Sequence, residues 1–206
     1  MPHYRKRSPK LRFEFVPAQK QSTLGGLPAL EALAQQFDLW TKLRRLPGLD
    51  PRTRTTHGYS PELIVAQLLY CFCSGGASLA DAERLNDEPL VRQLARVAHF
   101  ADQTQLGEWL RKQSDTSIAA LWKLIGEFVR WVVARAEAAR WTYAGRAEVF
   151  FDDTQIEVHG PTFQGAKINY NGDLALSWQT LWFGPFLVEG QLGSPGDVSG
   201  ALPAML

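Results

Sequence analysis

Cysteine is almost missing: Cys71 and Cys73 are the whole complement of the 206 residues. Two thiols cannot make a disulfide framework. Two apart on a helix, they point to different faces and form a poor metal pair, so they read as core cysteines. Long apolar runs are missing too. Leu63–Cys73 and Phe128–Ala134 are too short or carry charge, against the roughly 18 to 20 residues of a membrane span. Met1–Lys20 is basic but lacks the apolar stretch of a secretory signal. His3, His57, His99 and His159 have no ligand-like spacing, and there is no P-loop, dinucleotide fingerprint or nucleophile elbow. These absences predict a soluble protein of a reducing compartment with no membrane partner.

What is present is an uneven distribution of charge. Residues 1–60 hold eleven Lys and Arg against four Asp and Glu, a net of +7. Residues 61–146 are balanced, and residues 147–206 hold Lys167 against seven acids, a net of −6. A basic head suggests a polyanionic partner. Within it Arg5, Lys6, Arg7, Lys10 and Arg12 fall in a stretch, 1–24, with little helical period, expected to be a disordered arm. Arg44, Arg45, Arg52 and Arg54 flank the breaker pair Pro47-Gly48. They are either phosphate contacts or cations complementing a helix end.

Apolar spacing predicts helices through residues 25–144. Pro28 opens a stretch with Leu30, Leu33, Phe37 and Trp40 on one face. Ser60-Pro61-Glu62 starts a helix that is apolar nearly all round. Ser78 with Asp81 forms a capping box for the next. Leu90–Val97 and Gln103–Lys112 follow, and short helices with tight turns suggest a helix-turn-helix arrangement. A longer helix, Asp115–Arg140, carries Ile118, Leu121, Trp122, Ile125, Phe128, Val129, Val132 and Val133 as an expected core stripe.

At Gly145 the period changes from 3.6 to 2, and 145–206 reads as strands. Glu148–Val158 is the first, Lys167–Tyr170 a short second with Asn171-Gly172-Asp173 as its turn, and Leu174–Phe183 a third that Phe186–Leu192 continues. Gly193–Ser199 reads as loop. In the first strand Phe150, Asp152, Thr154, Ile156 and Val158 share a largely apolar face, opposite Phe151, Asp153, Gln155, Glu157 and His159. A carboxylate on the apolar face is costly unless paired or metal-bound. This singles out Asp152 over Asp153, as a functional carboxylate or as the partner of an arginine of the helical region.

The order Phe150-Phe151-Asp152-Asp153-Thr154, Gln164-Gly165-Ala166-Lys167, Tyr170-Asn171-Gly172 and Gly193-Ser194-Pro195-Gly196-Asp197 resembles the start of the catalytic domain of DDE-type insertion-sequence transposases, closest to the group 1 DDE domain. Gly75–Leu85, Asn86-Asp87-Glu88-Pro89 and Gln103-Thr104-Gln105-Leu106 resemble the helical part that precedes it. The resemblance covers about Tyr59 onward. It implies an α+β chain: a DNA-binding helical region, then an RNase H-like domain with Asp152, followed by Thr154, as first catalytic and metal-ligating carboxylate. It implies Mg²⁺ or Mn²⁺, double-stranded DNA at transposon ends as partner, self or an intact transposase copy as a further one, and a cytoplasmic, nucleoid-associated location. The family's second Asp and its Glu have no match, so the expectation is a truncated chain inactive by itself; the alternative is a non-catalytic DNA-binding module or regulator.

Overall fold

The structure, a computed structural model, describes residues 24–53, 58–138, 149–160, 162–184 and 186–196. The chain divides into two compact units, Met1–Leu121 and Trp122–Leu206. Among the described residues there are seven α-helices and four strands in one antiparallel sheet, an α+β architecture. The change from helix to strand lies between Ala138 and Val149, whereas the boundary between the units falls earlier, within α7.

In the first unit the stretch opened by Pro28 is two helices rather than one, α1 (Leu27–Phe37) and α2 (Leu39–Arg44). Asp38 separates them with φ 60° and ψ 37°. Asp tolerates this left-handed conformation better than most residues, and the turn re-aims the apolar face. Leu27, Ala34, Phe37 and Leu43 are buried, while Leu33, expected on the inner face, is exposed.

α3 (Pro61–Cys73) runs through the middle of this unit. It buries Ile64, Ala66, Gln67, Tyr70 and Cys71, but leaves Phe72 exposed. Ser60 sits at its N-cap in extended conformation without a side-chain capping bond. α4 (Leu79–Arg84) has the expected box: Ser78 Oγ accepts from the Asp81 amide and Asp81 accepts from the Ser78 amide, each at 3.1 Å. α5 (Pro89–Ala95) follows, and α6 (Gln103–Arg111) repeats the box with Asp102 and Gln105.

Gln67, fully buried, ties these helices together. Its amide donates to the carbonyls of Ala82 and Ala101 at 3.0 and 2.8 Å, and its oxygen accepts from the Ala101 amide at 3.1 Å. Every polar atom of the side chain is thereby satisfied, which makes burial of an amide tolerable.

α7 (Asp115–Ala138) departs from its expected role. Ile118, Trp122 and Ile125 are exposed, and the buried residues are Ser117 and Leu124, both outside the expected stripe. Periodicity identifies one apolar face of a helix but not whether a neighbour covers it. In the second unit the contact that α7 makes is aromatic: Trp122 stacks on Trp178 with ring centroids 6.3 Å apart.

The sheet is built on β3 (Leu174–Phe183), buried along most of its length. β1 (Val149–Glu157) pairs with one edge of it over all nine residues, from Val149 opposite Phe183 to Glu157 opposite Ala175. The other edge takes β2 (Lys167–Ile168) at one end and β4 (Phe186–Gly193) along the rest. β4 does not extend β3 as the sequence suggested. Gly184, at φ 53°, turns the chain back into an antiparallel partner, a backbone conformation that glycine adopts without strain. Gly190 of β4 is fixed by close approach: a Cβ there would lie 2.5 Å from the Trp178 ring.

Candidate functional site

Alternation along β1 divides its acids as expected, but the covered face is the opposite one. Phe150, Asp152, Thr154 and Ile156 are exposed; Phe151, Asp153 and Gln155 are half-buried. The inner face of β1 carries the polar residues because β3 supplies partners for them. Asp153 accepts a hydrogen bond from the Ser177 hydroxyl, and Phe151 packs on Leu181. Burying a carboxylate is tolerable when a donor satisfies it. The premise that singled out Asp152, a charge on the buried face, therefore fails. No ion pair joins Asp152 to an arginine among the described residues.

Asp152 instead stands in the open in mid-strand. Thr154 donates from its hydroxyl to Asp152 Oδ2 at 3.2 Å. Across the ladder lies Thr180, whose hydroxyl contacts the Asp152 carbonyl at 3.4 Å and accepts from the Trp182 indole at 3.0 Å. A carboxylate so placed keeps one oxygen for a ligand from solution.

The other acids of the sheet do not join it. Glu157 of β1 and Glu189 of β4 fall on the Asp153 face by strand alternation and register. Glu157 lies 3.6 Å from His159. Asp173 is exposed in the turn before β3, and Asp197 lies outside the described residues. Among the described residues no three His, Cys, Asp or Glu side chains converge as metal ligands. A hard divalent ion takes one or two carboxylates plus water and substrate oxygens, so Asp152 suits one position in such a shell, but the described residues do not complete a two-metal site.

The cationic residues separate into three cases. Arg5, Lys6, Arg7, Lys10, Arg12 and Arg54 lie outside the described residues. Arg52 is a structural residue: it makes a fork with Asp50, Nε to Oδ1 at 2.8 Å and NH2 to Oδ2 at 2.7 Å, and reaches the Gly58 carbonyl. This fork holds the Asp50 carboxyl below its usual range. Arg44 is paired with Glu62 at 2.8 Å, yet its side chain is 66% exposed. Arg45 is exposed next to it.

A further feature of the helical unit leaves no signal in the sequence: a cleft of about 710 Å³ between α1, α3 and α5. Glu31 is its polar hub. Its carboxylate accepts from the Tyr70 phenol at 2.6 Å, the Trp40 indole at 3.0 and 3.2 Å, and the Gln35 amide at 2.9 Å. Burial, reinforced by the Glu31 carboxylate, pushes the Tyr70 phenol up, so it stays a donor. With its oxygens occupied, Glu31 organises three helices and offers little to a ligand.

No family model matches the chain, and no curated protein or solved structure does either.

Proposed function

We propose that the chain is a DDE-type transposase that binds transposon-end DNA through its basic, helical first part and carries in its sheet unit one carboxylate, Asp152, of a metal-dependent cleavage and strand-transfer site. The observation that carries the reading is the setting of Asp152: mid-strand, exposed, with the Thr154 hydroxyl on one carboxylate oxygen. A carboxylate that shares a metal with a phosphodiester must be reachable by DNA, and the exposed face of β1 meets that need. The antiparallel β1–β3–β4 ladder is compatible with the opening strands of an RNase H-like domain, and the short capped helices with a DNA-binding region.

Divalent metal supplies the electrostatic stabilisation of the leaving oxygen in such chemistry. Asp152 would hold one position of its shell. The residues that complete it are not among those described.

That same shortage favours a second reading: a chain that binds DNA without cutting it and modulates an intact transposase. A cleavage assay on duplex carrying transposon ends, with Mg²⁺ or Mn²⁺, separates the two. The first reading predicts cleavage by a chain supplied with the remaining carboxylates, lost in Asp152→Ala while DNA binding persists. Cleavage that survives Asp152→Ala overturns the assignment; binding without cleavage under any supply supports the second reading.

A further inference from the structure

Among the large apolar side chains of the described residues, Tyr170 is the most exposed, at 86%. It sits on the hairpin between β2 and β3, and that hairpin is held in one shape. The Asn169 amide donates to the Asp173 carbonyl at 2.9 Å, and the Gly172 amide to the Asn169 carbonyl at 3.1 Å. Asn169 Oδ1 accepts from the amides of Asn171 and Asp173, both at 2.9 Å. Gly172 takes φ 91°, which a side chain would resist. The preceding loop is tied down by the Ser194 hydroxyl on the Gly165 carbonyl at 2.7 Å. A fixed turn that presents a bare aromatic ring has the ordering cost of binding already met.

We infer that Tyr170 is a stacking residue for an unpaired or unstacked base of the DNA, an inference that rests on the transposase reading. A ring on a tip offers a π-face to any base without needing a particular sequence. Its exposed apolar company on the hairpin and its approach is Ile168 and Phe163, far fewer side chains than the roughly 20 to 30 a side of a stable protein interface. The hairpin's two charges, Lys167 and Asp173, cancel, so contact there depends on stacking and amide groups such as Asn171.

The register sets the scale. Thr180, opposite Asp152, lies six residues along β3 from Leu174, where the hairpin ends, which is roughly 20 Å of strand. The ring lies beyond Leu174, so at about 3.4 Å per base pair it would meet DNA at least about six base pairs from a phosphate held at Asp152.

The test is equilibrium binding of the full chain to a 40-base-pair duplex, with and without a central three-nucleotide bulge. The wild type should prefer the bulged duplex. Tyr170→Ala should lose that preference, weakening bulged-duplex binding by roughly 5- to 100-fold, with plain-duplex affinity little changed and Tyr170→Phe close to wild type. Equal binding of bulged duplex by wild type and Tyr170→Ala overturns the stacking role while leaving the transposase reading intact. Absence of binding to either duplex by wild type removes the transposase reading itself. If Tyr170→Ala alters sedimentation of the chain without altering DNA affinity, the hairpin is a protein contact and the inference is wrong.

Discussion

Asp152 and Asp153 are neighbours with opposite tasks, and their substitution should divide accordingly. Asp153 bonds to the Ser177 hydroxyl on the covered face; Asp153→Ala leaves that buried hydroxyl without its acceptor and should cost about 1–3 kcal/mol in chemical denaturation. Asp152 is exposed, so Asp152→Ala should stay within about 0.5 kcal/mol of wild type while removing any metal-dependent activity. The reverse ranking in stability would mean that the faces of β1 are misassigned. Asp50 supplies a prediction in pH. Its carboxyl is held below its ordinary value of 3.8 chiefly by the Arg52 hydrogen bonds. A depressed folded-state value means stability that is present above the unfolded value and lost as pH falls through the folded one. The Tm gap between wild type and Asp50→Asn should therefore be constant from pH 7 to about 5 and close below about pH 4. A gap that persists at pH 2 would show that the fork is not the source.

At the scale of elements, close packing on β4 makes a sharp claim. Gly190→Ala places a methyl against the Trp178 ring, which also stacks on Trp122. A loss of about 1–3 kcal/mol is expected by thermal or denaturant unfolding, and Gly193→Ala, with open space around it, should be milder; equal effects would contradict the packing. Helix starts were legible in the sequence because caps are local: Ser78 with Asp81 is a short-range arrangement and holds in the fold. The span of β3, Leu174–Phe183, was legible for the same reason, since Gly184 ends it. The break at Asp38 was not, because one left-handed residue changes direction without altering apolar spacing. Nor was the covered face of β1, since alternation yields two faces and Ser177, distant in sequence, decides which one tolerates an acid. The exposure of α7 has the same origin: a stripe is a property of the helix, its cover a property of the partner.

At the scale of the whole molecule, the proposed function divides labour between the basic head, which would attract DNA, and the acidic sheet segment, which would carry the Asp152 chemistry. No helix among the described residues is long and apolar enough to cross a membrane, and the chain's charge is asymmetric, +7 in residues 1–60 against −6 in 147–206. Arg44 and Arg52 are already engaged with Glu62 and Asp50, so under the proposed function Arg45 and the cations of residues 1–24 would supply most of the phosphate contacts. The most direct test is the affinity of the full chain for transposon-end duplex measured from 50 to 300 mM salt. DNA binding by the basic head predicts that log K falls linearly with log salt with a slope of about −4 to −6, each phosphate neutralised contributing about −0.9, and that replacing Arg5, Lys6, Arg7, Lys10 and Arg12 with Ala flattens it toward zero. A wild-type slope near zero, or no binding at 50 mM, would rule out DNA binding through the basic head.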